Sequence, residues 1–298
     1  MRIANVAGRL TLVTGENRGI DIERASAGRF GADPQAIYEQ WYEFRSWAAG
    51  QGDEAAEAFD AALVGAPTPR PRQIFAIGLN YRDHAAEVGI PLPAEPSVFT
   101  KFVTSITGPT GSIGIPAGGK VDWEVEIVAV IGRQARFVRE ADAWDHVAGL
   151  TVAQDISERV TQNAGGMPQF AMGKSFDSFT PIGPCVVTPD AVADRDALTL
   201  GCSLNGEIVQ HGTSENLVFT IPQTIAYLSK ILTLLPGDII LTGTPAGVGF
   251  GRDPQRFMAP GDELVTWVEG IGEMRHTLVD ADKRSALENL TPQSNPAA

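Results

Sequence analysis

Apolar residues along this chain fall mostly in short runs bounded by Gly and Pro, a pattern that predicts more strands than helices. Strand-like runs cover residues 74–78, 121–131, 146–153, 185–187, 198–204, 238–242 and 263–268. Asn205-Gly206, set between two such runs, predicts a tight hairpin, because both residues tolerate the positive φ that a two-residue loop needs. An earlier hairpin is expected over residues 3–13, around Gly8. Helical spacing is rarer. Ile37, Trp41, Phe44 and Trp47 recur every three to four residues and predict an amphipathic helix over 34–48. Further helices are expected over 54–63, 157–164 and 221–232, the last with Pro222 near its start.

Pro67, Pro69 and Pro71 interrupt this pattern and favour an extended connector. The predicted organisation is a small N-terminal domain (1–66), a Pro-rich linker (67–73), a larger domain (74–282) and a polar, Pro-ended tail (283–298) expected to fray. Strands and helices do not alternate as βαβ units, so the fold class is α+β and β-dominated.

Composition narrows the class of partner. A hydrophobic content of 43% is ample for a core. The two cysteines, Cys185 and Cys202, form no C-x-x-C pair and read as buried apolar residues in a reducing compartment. Neither a signal-peptide pattern nor a membrane-length apolar run occurs, so a cytoplasmic soluble protein is expected. The formal net charge of −13 argues against nucleic acid. An anionic small molecule would need local positive charge, from a metal or an inward-facing Lys or Arg.

Four segments carry chemistry. Glu124 and Glu126 lie two residues apart inside an apolar run, so in a strand their carboxylates emerge on one face. Like charges in so apolar a setting are costly unless a cation neutralises them, and Mg²⁺ or Mn²⁺ prefers carboxylate oxygen. Asp155, at the end of the run before a predicted helix, completes a trio. Taken singly, each has a plainer explanation: a solvated edge strand for the glutamates, a helix N-cap for Asp155 with Glu158 in capping-box position. His84 and Glu87, spaced i, i+3, meet on one helical turn, and a carboxylate beside an imidazole makes a general base; a surface ion pair ending at Gly89 reads equally well. Lys174 lies among aromatics and Gly/Pro turns, where it suits holding a carboxylate or enolate, or simply projects into water. The Gly-rich stretch 241–251 permits close backbone approach to a ligand or makes a set of tight turns; it is no phosphate-binding loop, since no G-K-[ST] follows.

Taken in order, these motifs resemble the fumarylacetoacetate hydrolase superfamily. The match rests on N-Y-x-x-H-x-x-E at 80–87, E-x-E at 124–126, Gln154-Asp155, G-K-S-F-D at 173–177, Thr213-Ser214, and P-G-D-x-I-x-T-G-T-P-x-G-V-G at 236–249. It spans roughly residues 72–280, and the N-terminal unit resembles the small extra domain of longer bacterial members. The resemblance implies a mixed β-roll and a homodimer. It places Glu124, Glu126 and Asp155 on Mg²⁺- or Mn²⁺-binding positions. His84 and Glu87 fall on the pair that activates water, in a segment that often orders as a lid. Lys174 joins them as a catalytic residue that also contacts substrate, with Thr244, Arg82, Lys101 and Gly243 as substrate-binding candidates.

The activity this implies is metal-dependent hydrolysis of a C–C bond in a 2,4-dioxo acid or similar 1,3-dicarbonyl small molecule, such as an acylpyruvate. Decarboxylation of a 2-oxo dicarboxylic acid such as oxaloacetate uses the same enolate without an attacking water and stands as the alternative. A binding homologue without activity would be expected to lose a metal carboxylate or the His–Glu pair. No membrane or nucleic-acid role follows from any segment.

Overall fold

The structure, a computed structural model, describes residues 1–281. The fraying expected of residues 283–298 lies outside the described residues. A 12-stranded mixed sheet and a 5-stranded sheet dominate, accompanied by short helices. The fold is therefore β-dominated α+β, as the run pattern predicts.

The central strand of the large sheet is Val125–Ile131, buried along its whole length. It pairs antiparallel with Val147–Gln154 on one side and Ile239–Leu241 on the other. With both edges paired and both faces covered, a continuous Val/Ile run is what the position demands. Val125, Ile127, Ala129 and Ile131 belong to the core shared with the 5-stranded sheet. Val128 and Val130, on the opposite face, belong to a second core with Tyr38, Trp41 and Phe44. By the two-residue period, Glu126 lies on the Val128 face, one step further along the strand.

The N-terminal segment is continuous with this sheet. Arg2–Val6 pairs antiparallel with Thr180–Val187 and with Arg9–Gly15, the hairpin expected around Gly8. Tyr38 stacks on Trp41 at a centroid distance of 5.6 Å, and Phe44 meets Trp41 at 5.7 Å with the rings tilted by 47°. Trp41 also abuts Gly132, where any Cβ would approach within 2.8 Å of the indole. The amphipathic segment forms a 3₁₀ turn, Ala36–Gln40, and then the helix Trp41–Ala48.

Two predicted helices are not formed as expected. Over 54–63, Glu57–Ala58 pairs as a strand with Arg18–Asp21, and only Ala61–Leu63 turns, capped by Asp60. Its alanines favour helix but offer little apolar surface to bury, and strand pairing prevails. Over 157–164, Ser157–Glu158 pairs with Val121–Asp122, and only Arg159–Gln162 is helical. Glu158 is itself the N-cap, its carboxylate accepting from the amides of Val160 (2.9 Å) and Thr161 (2.6 Å). Elsewhere, Asn205 and Gly206 make their turn at φ 53° and 82°. Ile221–Ile231 is a helix opened by a Thr220/Gln223 capping box. Among the described residues no helix is long and apolar enough to cross a membrane.

Candidate active site

The three predicted carboxylates converge. Glu124 lies just before the central strand, Glu126 within it, and Asp155 just after the neighbouring strand. Antiparallel register sets Glu126 opposite Ala153, and the Asp155 amide donates to the Glu124 carbonyl at 2.9 Å. One oxygen from each carboxylate lies within 4.8 Å of the others, and all three residues are buried. Asp155 is therefore not a helix N-cap, and the glutamates do not line a solvated edge.

Three cations surround them. Lys174 Nζ bridges Glu124 Oε2 (2.6 Å) and Asp155 Oδ2 (2.5 Å). Lys101 Nζ reaches Asp155 Oδ1 (2.5 Å) and the Phe179 carbonyl (2.8 Å). Arg159 spans Asp122 and Glu124, each at 2.6 Å. Burial works against charge at both lysines. It prevails at Lys101, whose pKa is lowered, but at Lys174 the Asp155 and Glu124 carboxylates outweigh it and raise the pKa. Burial likewise opposes ionisation of Glu124, yet the Lys174 ammonium and Arg159 guanidinium hold it well below the usual carboxylate range. Glu126 is the odd member. Burial and the neighbouring Asp155 push it well above its ordinary value, and its partner is the Gly243 amide at 2.6 Å. Among the described residues no Lys or Arg forms an ion pair with it. A buried acid held beside two others with no cation of its own is what a divalent-ion site would need.

His84 and Glu87 meet on the helix Arg82–Glu87, with Nδ1 3.0 Å from Glu87 Oε2. The helix is anchored from below. The Asn80 side chain donates to Thr242 O (2.7 Å) and Phe219 O (3.0 Å) and accepts from Phe219 N (2.8 Å). Gly89 ends it at φ 68°. Glu87 Oε1 also accepts the Gly247 amide at 2.9 Å, tying the pair to the Gly-rich block. That block serves the protein's own backbone. A Cβ on Gly249 would lie 1.9 Å from the Arg256 carbonyl, and one on Gly247 would lie 2.2 Å from the Val209 carbonyl. Close approach is thus required within the fold, and the Gly249 and Phe250 amides donate to Asp122.

His84, Glu124, Glu126, Asp155, Lys174 and Thr244 all line one cavity of about 490 Å³. Thr244 Oγ1 accepts from Gln210 Nε2 at 2.8 Å, which leaves its own proton free to donate. The other substrate-binding candidates are not among the residues that line the cavity. Arg82 is exposed and donates to the Leu217 carbonyl, because its short helix turns that side chain outward. Lys101 is consumed by Asp155 and is not part of the cavity wall, and Gly243 acts through its amide on Glu126. Sequence reasoning missed Asp122 and Arg159. Asp122 was visible as a third acid in the alternation Asp122, Glu124, Glu126; Arg159 had no local signal.

The fumarylacetoacetate (FAA) hydrolase C-terminal family matches residues 73–279. Human mitochondrial oxaloacetate tautomerase FAHD2A is 44% identical over 215 residues, covering 72% of this chain and 68% of that protein. A Mycobacterium smegmatis protein solved under a provisional HpcE assignment superposes with a TM-score of 0.89 at 51% identity, over 95% of this chain and 100% of that one. Maleylpyruvate hydrolase from Sphingobium sp. SYK-6, solved with manganese(II) and pyruvate, superposes with a TM-score of 0.78 at 29% identity, over 94% and 99%.

Proposed function

The chain belongs to the fumarylacetoacetate hydrolase family, and from that premise we propose that it is a divalent-metal-dependent enzyme hydrolysing a C–C bond in a 2,4-dioxo acid. One observation carries this reading: His84, with Glu87 on its Nδ1, opens onto the same cavity as the three carboxylates.

Glu124, Glu126 and Asp155 would hold Mg²⁺ or Mn²⁺, which when bound supplies Lewis-acid polarisation of the 2-oxo group and stabilises enolate charge. The charge balance fits. Asp122, Glu124, Glu126 and Asp155 against Lys101, Lys174 and Arg159 leave a formal −1, which a divalent ion turns to +1, suited to an anionic substrate.

The chain's own groups then act as follows. Thr244 Oγ1 donates to the substrate carboxylate, and Lys174 Nζ lies beside the developing charge. With Nδ1–H donated to Glu87, His84 uses Nε2 to take a proton from water. The hydroxyl adds to the carbonyl remote from the carboxylate. The bond from that carbon to the methylene breaks, and its electron pair leaves as the enolate of the 2-oxo acid. His84 Nε2–H returns the proton to the methylene carbon, so water and the dioxo acid give two carboxylic acids. A cytoplasmic homodimer is part of this proposal, and light scattering on the purified protein checks the dimer.

The test is turnover of acylpyruvates, fumarylpyruvate and oxaloacetate with Mg²⁺ or Mn²⁺, following acid products, CO₂ and the enol absorbance. Two acids per turnover, lost on chelation and restored by metal, are expected; a metal-loaded protein that cleaves no dioxo acid overturns the reading. The identity to oxaloacetate tautomerases favours a second reading, enol–keto conversion of oxaloacetate, in which His84 moves a proton without adding water. It shows as decay of enol absorbance with neither acid products nor CO₂, whereas decarboxylation releases gas.

A further inference from the structure

We infer that the end of the substrate remote from its 2-oxo carboxylate is an uncharged apolar group, an alkyl chain of several carbons or an aryl ring, and not a second carboxylate. This rests on the reading of the substrate as a 2-oxo acid.

Size is the first argument. A cavity of about 490 Å³ is in the range that holds ligands much larger than a four-carbon dicarboxylate. The lining is the second. Away from the charged cluster the wall is mostly apolar, with Phe99, Phe170, Phe250 and Ile90 prominent and Ser97, Gln162 and Asn163 as its uncharged polar members. Phe99 and Phe170 both line the cavity, and their rings touch at a centroid distance of 5.5 Å and a 31° tilt. Phe170, Ile90 and Phe250 retain 40%, 53% and 41% exposure, so apolar area remains at this cavity for a ligand to cover.

Charge is the third argument. Among the described residues the cavity wall carries two permanent cations, Lys174 and Arg159. Lys174 is committed to Glu124 and Asp155. Arg159 is committed to Asp122, Glu124 and Gln162 Oε1 (3.0 Å). A remote carboxylate would lose water and find no unpaired guanidinium or ammonium, a heavy cost in a desolvated site. An alkyl or aryl group meets no such cost, and each methylene it buries should tighten binding about fourfold.

The test measures binding, so it does not depend on which reaction is catalysed. The manganese-loaded protein is titrated calorimetrically with pyruvate, 2-oxobutanoate, 2-oxohexanoate, 2-oxooctanoate and 2-oxoadipate. The dissociation constant is expected to fall about fourfold per added methylene. 2-Oxohexanoate is expected to bind at least 10-fold tighter than 2-oxoadipate, which has the same carbon count. Phe170→Ala should flatten the chain-length series, and Phe170→Arg should reverse the preference between the six-carbon pair. A flat series, or tighter binding of 2-oxoadipate to the unaltered protein, overturns the inference and leaves hydrolysis untouched. Absence of dioxo-acid cleavage in the turnover assay, with the chain-length series present, overturns hydrolysis alone.

Discussion

One face of the central sheet has two unlike coverings. At one end, Val128 and Val130 lie in a core with Tyr38, Trp41 and Phe44. At the other, the same face presents Glu126, flanked by Glu124 and Asp155 and enclosed by Lys101, Lys174 and Arg159. Both ends are buried, but for different physical reasons. The aromatic end requires only volume and shape, and its stabilisation is spread over many weak contacts. At the charged end each group must be answered individually, because a buried charge stripped of its partner is heavily penalised. The proposed chemistry therefore draws on the charged end, while the aromatic end closes the sheet that holds it.

The sharpest way to break this contrast is Asp155→Ala. It leaves Lys101 and Lys174 short of a carboxylate, a loss of about 3–5 kcal/mol for breaking a buried pair. It should also abolish calorimetric Mn²⁺ binding and reduce turnover beyond the 10–100-fold typical of losing a mere supporting group. Undiminished Mn²⁺ affinity would show that the trio is not the metal site. His84→Ala should lower kcat by about 10²–10⁴ while leaving the melting temperature nearly unchanged, since the side chain is only partly buried. An unchanged rate refutes its role as base.

At the aromatic end the signature is reversed. Phe44→Ala, at a fully buried position, should cost about 3–5 kcal/mol in denaturant unfolding. Turnover per folded molecule should stay constant; a selective fall in kcat would mean the two ends are coupled.

His276 sharpens the comparison from outside both regions. It is buried in the 5-stranded sheet, without an ion pair among the described residues, its ring nitrogen bonded to the Gly108 carbonyl at 3.0 Å. Burial lowers its pKa from 6.5 to about 4. The folded state therefore binds this proton less readily than the unfolded chain, so its contribution is intact above pH 6.5. That contribution is lost as pH falls toward 4 and levels off below, a drop of about 3 kcal/mol. His276→Gln should remove that part of the pH dependence in urea titrations between these limits; an identical slope would contradict it.

Much of the site was legible from local spacing. A two-residue period places Glu124 and Glu126 on one face, and an i, i+3 spacing brings His84 to Glu87. The hairpin at Asn205-Gly206 and the strands Ile74–Gly78 and Glu263–Val268 follow from short windows of sequence. Segments whose local preference conflicted with pairing were misread: 54–63 is alanine-rich yet pairs as a strand, and 157–164 begins in a two-residue ladder with Val121–Asp122.

The chain's periodicity and motif order thus decided the fold class, the carboxylate pair and the His–Glu pair, because each depends on backbone geometry within a few residues. Only the folded structure decided that Lys101 belongs to Asp155, that Arg159 joins Asp122 to Glu124, that Arg82 stays outside, and that an apolar wall faces the charges. Those pairings join residues tens of positions apart. They are selected by sheet register and by the need to leave no buried charge unanswered, and neither constraint exists until the strands have come together.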